Sequence, residues 1–438
     1  MNELNLGTEK IKKLFYKYAI PSVISSIIFS IYIVIDGIFV GRVVGPQGLA
    51  MVNIAMPIFS MALALGIMVS VGGNTVVSIE LGEGRKEDAR ESFSLIVISS
   101  VIGIIIFLFR YRVATALGAT PSLMKGGIEY LVILCLCVPF FTGGSYLAAG
   151  IRTMGMPTFS MFCTVLGSVL NIILDYVFVV LWGWGVAGAA LASGIAFFIS
   201  FLLAFIKIQS KDSILKLKKC KINLRKIGRF FYNGSSEALT EVAVAFTTFI
   251  FNIVLMRKIG EMGVSAFSII QYIASLVVAV YLGIANGITP IISYNYGAKK
   301  GERINELIKY ASKVMVILGI ICTGFLFFGG ETLISFFVSN DKILLETTSL
   351  ACKIYSLAFL VSGLNILASS YFTALEDAKT SAIISFLRGI ALIFIGIIVL
   401  PAIMGDSGIW LTVAFSEFLT LLIALVLLKK SKSKLIQL

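Results

Sequence analysis

The 438-residue sequence contains no histidine, and only 13% of its residues are charged. The missing histidine excludes the side chain that proteins use most often as a zinc ligand and as a proton carrier near neutral pH. Any proton or cation chemistry must therefore depend on carboxylates. The six cysteines show no metal-ligand spacing, and five of them lie in apolar stretches. We interpret them as packing residues and expect no metal and no cofactor.

The chain is rich in apolar residues. They make up 58% of the chain, and the mean hydropathy is +1.00. Soluble domains contain about 45–50% apolar residues, so this composition excludes a soluble globular protein. The sequence predicts an all-α polytopic membrane protein. Its polar start, with four lysines ahead of a full-length apolar run, indicates no cleavable signal peptide.

Apolar runs bounded by charge, glycine or proline predict twelve membrane-spanning helices. The predicted spans cover residues 18–41, 50–80, 92–109, 128–150, 159–181, 187–206, 233–256, 263–295, 308–330, 350–374, 381–404 and 408–428. They divide the chain into an N-terminal lobe over residues 1–206, a basic linker over 207–229 and a C-terminal lobe over 230–438.

The net charge of +13 reports membrane topology and gives no reason to expect a nucleic acid partner. If both termini are cytoplasmic, 28 of the 36 Lys and Arg residues belong to inner segments, which fixes the orientation by the positive-inside rule. Nine of them lie in the linker, which an orientation signal near anionic lipid explains without a regulatory role. Trp182, Trp184 and Trp410 then fall at outer span ends, as expected of an interfacial aromatic belt.

A constant offset of 215 residues relates the two halves of the sequence. The matching pairs are Arg42 with Arg257, Gly45 with Gly260, Gly48 with Gly263, Ser60 with Ser275, Gly72 with Gly287, Ser78 with Ser293, Gly82 with Gly297 and Glu87 with Glu302. Each half holds an even number of spans, so the repeats share one orientation and should be related by an axis along the membrane normal. Two such lobes suggest alternating access, although duplication for helix packing alone would leave similar glycines.

Two aspartates are predicted at the same depth in the outer half of the N-terminal lobe. Asp36 lies about 27 Å into the first span, and Asp175 about 24 Å into the fifth span, which runs in the same direction. Asn171 lies one turn before Asp175, and Ser193 reaches this level from the sixth span. Two such carboxylates favour a shared proton or a bound cation, and oxygen ligands suit Na⁺. The alternative is two separately hydrogen-bonded structural acids.

Four further charged residues lie within predicted spans. Glu237 and Glu241 are four residues apart in the seventh span and therefore share a face. That face attracts a cation or a cationic substrate, or it is only polar helix-entry surface. Arg388 and Glu417 are predicted to form an ion pair with each other.

Several motifs give the chain a resemblance to the multidrug and toxic compound extrusion family over essentially its whole length. Pro21 precedes Asp36 by fifteen residues, and Asn171 and Asp175 match an Asn and an Asp of the fifth helix. The remaining motifs are Gly41-Arg42 with Gly45-Pro46-Gln47-Gly48, the loop 81–89, the segment 150–157, and 185–190 with Ser193.

The resemblance implies a V-shaped bundle of two six-helix lobes that exports amphipathic, mostly cationic drugs in exchange for inward H⁺ or Na⁺. In the branch with an acid on the first helix, Asp36, Asn171 and Asp175 would be the coupling site. Ser193 replaces the Thr common in that branch but keeps the hydroxyl group. Glu241 matches an acid of the Na⁺-coupled branch, whereas its partner acid in the tenth helix is missing from residues 360–365.

The sequence therefore predicts a cation-coupled drug antiporter, with toxic organic cations and the lipid bilayer as its partners. We expect a functional monomer in the plasma membrane. Pro21 either allows the first span to bend or occupies a tolerated first-turn position. The alternative function is a lipid or lipid-linked precursor flippase, and a non-transporting sensor or scaffold is a further possibility. An enzyme is not expected, because no histidine exists to activate a serine nucleophile.

Overall fold

The computed structural model describes residues 6–39, 45–100, 121–338 and 341–435, which form thirteen helices and no strand. The helices of the first half are α1 Ile11–Phe39, α2 Gly45–Gly82, α3 Lys86–Ser99, α4 Pro121–Thr153, α5 Pro157–Asp175 with a π-helical extension Tyr176–Leu181, and α6 Gly185–Ile208. Those of the second half are α7 Leu224–Lys258, α8 Glu261–Gly297, α9 Gly301–Ser335, α10 Lys342–Ser356, α11 Phe359–Ala374, α12 Ala378–Met404 with π-helical turns over Leu387–Ala391, and α13 Asp406–Leu435.

The described residues include nine helices long and apolar enough to cross a membrane, or ten if α10 and α11 form one broken span. These two helices meet at an angle of 48°. The predicted span over 350–374 is therefore wrong as a single straight helix. The predicted span over 92–109 lies partly outside the described residues, whereas the span over 128–150 falls within α4.

Polar side chains and proline fix several helix starts. The Asn223 side chain accepts hydrogen bonds from two backbone amides in the first turn of α7, and Asp341 and Asp377 cap α10 and α12 in the same way. Pro157 occupies the first turn of α5, where its missing amide hydrogen costs no helical hydrogen bond. The helices thus begin where local chemistry satisfies their free amides.

Pro21 lies inside α1 because this helix begins at Ile11, earlier than the sequence predicts. The first-turn position considered for Pro21 is therefore wrong. Within a helix, proline cannot donate to the carbonyl group four residues earlier, here that of Lys17. Pro21 is buried close to Tyr18 and Val23, the residues through which α1 packs on α8. The weakened turn thus lies at the contact between the two lobes.

The internal duplication is visible in reciprocal helix contacts. A Cβ atom built on Gly82 of α2 would collide with the carbonyl group of Tyr294 in α8, and one built on Gly297 would collide with that of Ile79. Gly297 and Tyr294 are the residues that the 215-residue offset assigns to Gly82 and Ile79. Such self-complementary pairing is the signature of a two-fold axis, here relating the lobes of one chain.

A second pair of glycines brings other helices of the two lobes together. Gly72 of α2 packs against the backbone of Phe230 and Gly234 in α7, and Gly287 of α8 packs against the carbonyl group of Tyr18 in α1. Small residues allow helix backbones to approach this closely. The lobes are therefore in contact through α1 with α8 and through α2 with α7.

These contacts lie toward the end of the bundle that holds both described chain ends, which we call the inner end. Two short segments add to them there. In the N-terminal strap, residues 6–9, the backbone carbonyl of Leu6 accepts hydrogen bonds from Asn295 at 3.0 Å and from Arg303 at 3.2 Å, and that of Glu9 accepts one from Arg303 at 2.7 Å. This strap leads into α1 but binds the second lobe.

The linker strap, residues 214–218, makes the reverse connection. It leads toward α7, but the Ile214 carbonyl accepts a hydrogen bond from Arg90 of α3 at 2.8 Å, and the Lys218 Nζ atom lies 3.0 Å from the Glu87 carboxylate. Each lobe is thus held at the inner end by the segment that precedes the first helix of the other. The lobe boundaries at residues 206 and 230 stay a prediction; α6 ends at Ile208 and α7 begins at Leu224.

Toward the outer end, α1 and α7 contact their own lobes. Tyr32 of α1 packs on Phe197 of α6, whereas Phe251 of α7 stacks on Phe267 of α8. The lobes therefore diverge from the inner contacts as a V. Trp182 and Trp184, between α5 and α6, are exposed. Trp410 lies near the outer start of α13, but it is buried inside the second lobe and is not part of a lipid-facing aromatic belt.

Candidate functional site

The helix α5 supplies the centre of the predicted site. Asn171 and Asp175 lie one turn apart on its buried face, with 1% and 0% of their surfaces exposed. Asp175 is the last residue before the π-helical extension, in which hydrogen bonds run from residue i+5 to i, as from Trp182 to Val177. Such π-helical turns occur frequently at functional sites.

Asn171 links the two neighbouring helices of the site. Its amide is oriented by its partners, because the nitrogen must donate and the oxygen must accept. In that orientation the nitrogen donates to Asp175 Oδ2 at 2.9 Å, and the oxygen accepts from the backbone N and the Oγ of Ser193 at 3.1 and 2.9 Å. Asn171 therefore holds Asp175 in place against α6.

The carboxyl group of Asp36, on α1, lies beside that of Asp175. The buried Oδ1 atom of Asp175 receives no hydrogen bond from any donor among the described residues. Two adjacent buried carboxylates repel each other strongly when both are ionised. The pair is therefore built to share a proton or to bind a cation between its oxygens.

Aromatic rings form a layer next to this site on its inner side. Tyr32 precedes Asp36 by one turn of α1 and packs on Phe29 of α1 and Phe197 of α6, and Phe141 of α4 contacts both phenylalanines. The ring centroids of Phe141 and Phe197 are 4.6 Å apart. The layer separates the two aspartates from the inner end of the bundle.

The structure thus brings together Asp36, Asn171, Asp175 and Ser193, as the sequence predicts. Their contacts with one another also contradict the alternative of two separately hydrogen-bonded acids. The role of these residues in cation coupling stays a prediction. No group of three or more metal-ligating side chains occurs among the residues that the structure describes.

A different polar cluster occupies the second lobe. The ion pair predicted between Arg388 of α12 and Glu417 of α13 is present, with a distance of 2.7 Å from the guanidinium Nη2 to the carboxylate Oε1. Asn365 of α11 donates to the other carboxylate oxygen at 2.6 Å. Sequence reasoning missed Asn365 as part of this cluster. The available signal was that it is the only amide side chain in α11, which contains no charged residue.

The π-helical turns of α12 position Arg388. They leave backbone carbonyl groups without the usual helical donor, and hydroxyl groups from neighbouring helices fill these places. Ser416 donates to the Arg388 carbonyl at 2.7 Å, and Thr247 donates to that of Gly389 at 3.1 Å. These bonds fix the arginine between α7 and α13.

Glu237 and Glu241 are not part of a carboxylate pair like that of the first lobe. Glu237 lies one turn beyond Gly234, the residue at which α7 packs on Met68 of α2, and it is close to Arg388. Glu241 follows one turn later and is exposed. Both acids therefore lie just beyond the contact between the lobes, where the V begins to open.

A buried acid that the sequence did not single out lies near the inner end of α2. Glu80 is 1% exposed, interacts with Ser92, and has Arg85, Lys226 and Arg229 as cationic neighbours. The predicted second span ends at residue 80, so Glu80 was counted with the solvated loop residues. Its burial follows from the packing of α3 and α7 over the end of α2.

Comparisons with known proteins agree with this architecture. The sequence model of the MatE family matches residues 21–177 and 238–399. The chain is 24% identical over 426 residues to the multidrug export protein MepA of Staphylococcus aureus, covering 95% of this chain and 93% of MepA. It is 25% identical over 425 residues to MepA of Staphylococcus saprophyticus, with the same coverage of both chains.

Solved structures show the same fold. An outward-facing multidrug resistance MATE family transporter of the MOP superfamily superposes with a TM-score of 0.93 at 21% identity, covering 100% of this chain and 99% of that one. A MOP superfamily transporter from Pyrococcus furiosus, whose binding pocket is described as having reverse polarity, superposes with a TM-score of 0.91 at 22% identity, covering 99% of both chains.

Proposed function

Because the chain belongs to the MatE family of membrane transporters, which are not enzymes, we propose that it exports amphipathic, mostly cationic drugs across the plasma membrane. Export is driven by inward movement of H⁺ or Na⁺ in the opposite direction. The names of the MepA relatives support multidrug export, and their similarity extends over nearly the whole chain. The protein works as a monomer, because each lobe contributes its own polar cluster within one chain. Both termini lie in the cytoplasm, because this orientation places 28 of the 36 Lys and Arg residues on the inner side.

The observation that carries the proposal is the pair formed by the half-buried Asp36 and the buried Asp175. Among the residues that the structure describes, no arginine or lysine interacts with either carboxylate, so this part of the chain supplies the pair with no counter-ion. A pair of this kind gains a proton or a cation when one is available and repels itself when none is bound. Its occupancy can therefore be coupled to a change in helix packing.

The helix α1 connects this pair to the contact between the lobes. Asp36 lies near its outer end, and Pro21, about 22 Å away along the helix, lies where α1 packs on α8. When the coupling ion binds, the repulsion between α1 and α5 disappears, and α1 shifts against α8 about the weakened turn at Pro21. This movement releases the substrate toward the outer side.

One coupling ion supplies enough free energy for useful export. A single charge crossing a potential of about 100 mV yields about 2.3 kcal/mol, and a difference of one pH unit adds about 1.4 kcal/mol. The total of nearly 4 kcal/mol sustains a substrate gradient of several hundredfold, since about 1.4 kcal/mol corresponds to a factor of ten. A site with one titrating pair is therefore sufficient.

The acids Glu237 and Glu241 give the substrate a negatively charged surface. They lie where the lobes begin to separate, and Glu241 is exposed on the open face of α7. Arg388 faces Glu237 but is already paired with Glu417, so the local charge stays negative. Cationic drugs are attracted to such a surface, whereas phosphate-bearing lipids are repelled.

The test is efflux of a cationic fluorescent dye such as ethidium from loaded vesicles, with a pH gradient and a Na⁺ gradient imposed separately. The wild type is expected to expel the dye under one of the two gradients, and Asp36→Asn is expected to lose this gradient-driven efflux. Asp212→Asn, which removes an exposed acid of the linker, is the matched control and should behave as the wild type.

Full gradient-driven efflux by Asp36→Asn would contradict the coupling site. Absence of efflux under both gradients, with the wild-type protein present in the membrane, would contradict drug export. Phosphate-bearing lipids would then be the next substrates to examine.

A further inference from the structure

A groove of about 480 Å³ lies on the outside of the second lobe, away from both polar clusters. It runs between α9, α11 and α13, and its walls are formed by Val316 and Ile317 of α9, Leu364 and Leu367 of α11, and Leu421, Leu425 and Leu428 of α13, among others. Its volume is within the range of about 300–1,000 Å³ that small-molecule sites occupy.

The groove faces the surroundings of the bundle. Ile317 and Leu425 are 56% and 51% exposed. In a membrane protein such apolar side chains lie against lipid, because exposure to water would be unfavourable. The groove is therefore suited to hold an acyl chain.

Lys313 is the single charged residue among those that line the groove. It is exposed and makes no ion pair with any residue that the structure describes. On α9 it marks the point where the charged inner segment gives way to apolar residues, and on α13 Leu428 of the groove is followed directly by Lys429. Both lysines thus mark the inner surface of the membrane.

Polar groups close the inner end of the groove beside these lysines. Tyr371 lines the groove, and its hydroxyl group lies 3.0 Å from that of Ser431. The nearest acids along α9 are Glu302 and Glu306, which are closer to the inner end and do not line the groove. The groove is therefore apolar along its length and positively charged at its inner end, at the level of the lipid headgroups.

The corresponding face of the first lobe differs from this groove where the structure describes it. There, between α4 and α6, the ring of Phe201 packs on Gly143 and also contacts Phe140. The residue of α3 that corresponds to Lys313 by the 215-residue offset is the apolar Ile98. The basic residue at the inner end of the groove is therefore not repeated at the matching position of the first lobe.

We propose that this groove binds an anionic phospholipid of the inner leaflet, with one acyl chain between α9, α11 and α13 and the phosphate group at Lys313. A cationic drug does not fit, because the lysine repels it. A zwitterionic lipid offers the same acyl chain but brings its own positive charge close to Lys313 and Lys429. The groove thus favours phosphatidylglycerol or a similar lipid over phosphatidylcholine.

Native mass spectrometry of the full-length protein with phosphatidylglycerol and phosphatidylcholine of identical acyl chains tests the proposal. The wild type is expected to retain phosphatidylglycerol in preference. Lys313→Gln should weaken that retention about fivefold, the effect expected of one basic residue near an anionic lipid surface. Lys379→Gln, which removes another exposed lysine at the inner end, is the matched control.

A second variant separates the acyl-chain site from the charge. Leu425→Trp places a larger ring in the groove at a half-exposed position, where folding does not depend on tight packing, and should reduce retention of the lipid. Equal retention of both lipids by the wild type, or unchanged retention in both variants, would overturn the proposal. Dimers in place of lipid adducts would overturn it too, since the groove would then be covered by a second copy. The readout is binding, so its result is independent of whether the chain exports drugs.

Discussion

The two lobes have related backbones but differ in the partners of their membrane-embedded acids. In the first lobe, Asp36 and Asp175 lie side by side with no cationic partner among the described residues, and Asn171 donates a hydrogen bond to Asp175. In the second lobe, Glu417 is neutralised by Arg388 and bonded to Asn365. The described residues of the first cluster include no counter-ion, whereas the second cluster contains one. The duplicated helices of the two lobes therefore carry polar clusters that differ in charge.

The largest expected effect is on protein stability. Neutralising a carboxylate should destabilise the second lobe but not the first. Glu417→Gln removes the carboxylate that pairs with the partly buried Arg388 and leaves only the more distant Glu237 beside the arginine, so it should destabilise the protein by about 3 kcal/mol. Asp175→Asn removes an uncompensated carboxylate and should leave stability unchanged or raise it. Thermal unfolding in nanodiscs measures both variants. Equal destabilisation by the two would show that the carboxylates have the same role.

A double variant sharpens this comparison. Replacing both Arg388 and Glu417 by methionine removes the charges together, so most of the stability lost in Glu417→Gln should return. Failure to recover would mean that Glu417 stabilises the lobe through Asn365 and not through the arginine.

The next effect concerns the reciprocal glycines. Gly72→Ala would place a methyl group against the Phe230 carbonyl and only 2.6 Å from the Gly234 amide nitrogen, whereas Gly287→Ala would place one 2.8 Å from the Tyr18 carbonyl oxygen. Overpacking of this kind costs about 1–3 kcal/mol, so both variants should separate the inner ends of the lobes. The effect of Gly72→Ala should be the larger because its neighbours are backbone atoms at shorter distances.

Distances between spin labels at the inner ends of the two lobes measure this separation. Gly324→Ala is the control, because nothing lies within 4 Å of the added methyl group. If both inter-lobe variants left the distance distribution unchanged, the glycine contacts would not hold the lobes together.

Smaller effects are expected when the contacts of the two straps are removed, and the N-terminal strap should loosen more than the linker strap. Arg303 donates to the carbonyl groups of Leu6 and Glu9 and to the Asn295 side chain, so Arg303→Gln should loosen the N-terminal strap by about 1–2 kcal/mol. Arg90→Gln removes one backbone contact and an exposed ion pair, so the linker strap should loosen less. Hydrogen exchange of residues 6–10 and 213–219 distinguishes the two. Equal exchange in both variants would contradict this order.

The smallest effect is on pH dependence. The hydrogen bond from Lys218, together with Arg90, holds the pKa of Glu87 below its ordinary value. The stabilisation is therefore complete above the ordinary pKa of glutamate and is lost as the pH falls through the lowered pKa. Acid should loosen the linker strap but not the N-terminal strap, whose contacts use backbone carbonyls. In Glu87→Gln, hydrogen exchange of the linker strap should no longer change in this pH range.

The polar residues within spans were the most informative part of the sequence. Counting residues along straight helices put Asp36, Asn171, Asp175 and Ser193 at one depth, and the structure brings them into contact. The ion pair between Arg388 and Glu417 could be predicted because an isolated charge within the membrane is energetically costly. Asn365 and Glu80 were missed because one lies in an apolar run without charge and the other lies at a span end, where depth says nothing about burial.

The sequence by itself determined the membrane class, the duplication and the helices that carry charge, because hydropathy, repeat spacing and charge are local or periodic properties. Only the tertiary structure decided that Gly82 packs on Tyr294 and Gly297 on Ile79, that each strap binds the opposite lobe, and that α9, α11 and α13 leave a groove between them. These features depend on which helix faces join. Such choices rest on small differences in packing between distant residues, and no local pattern records them.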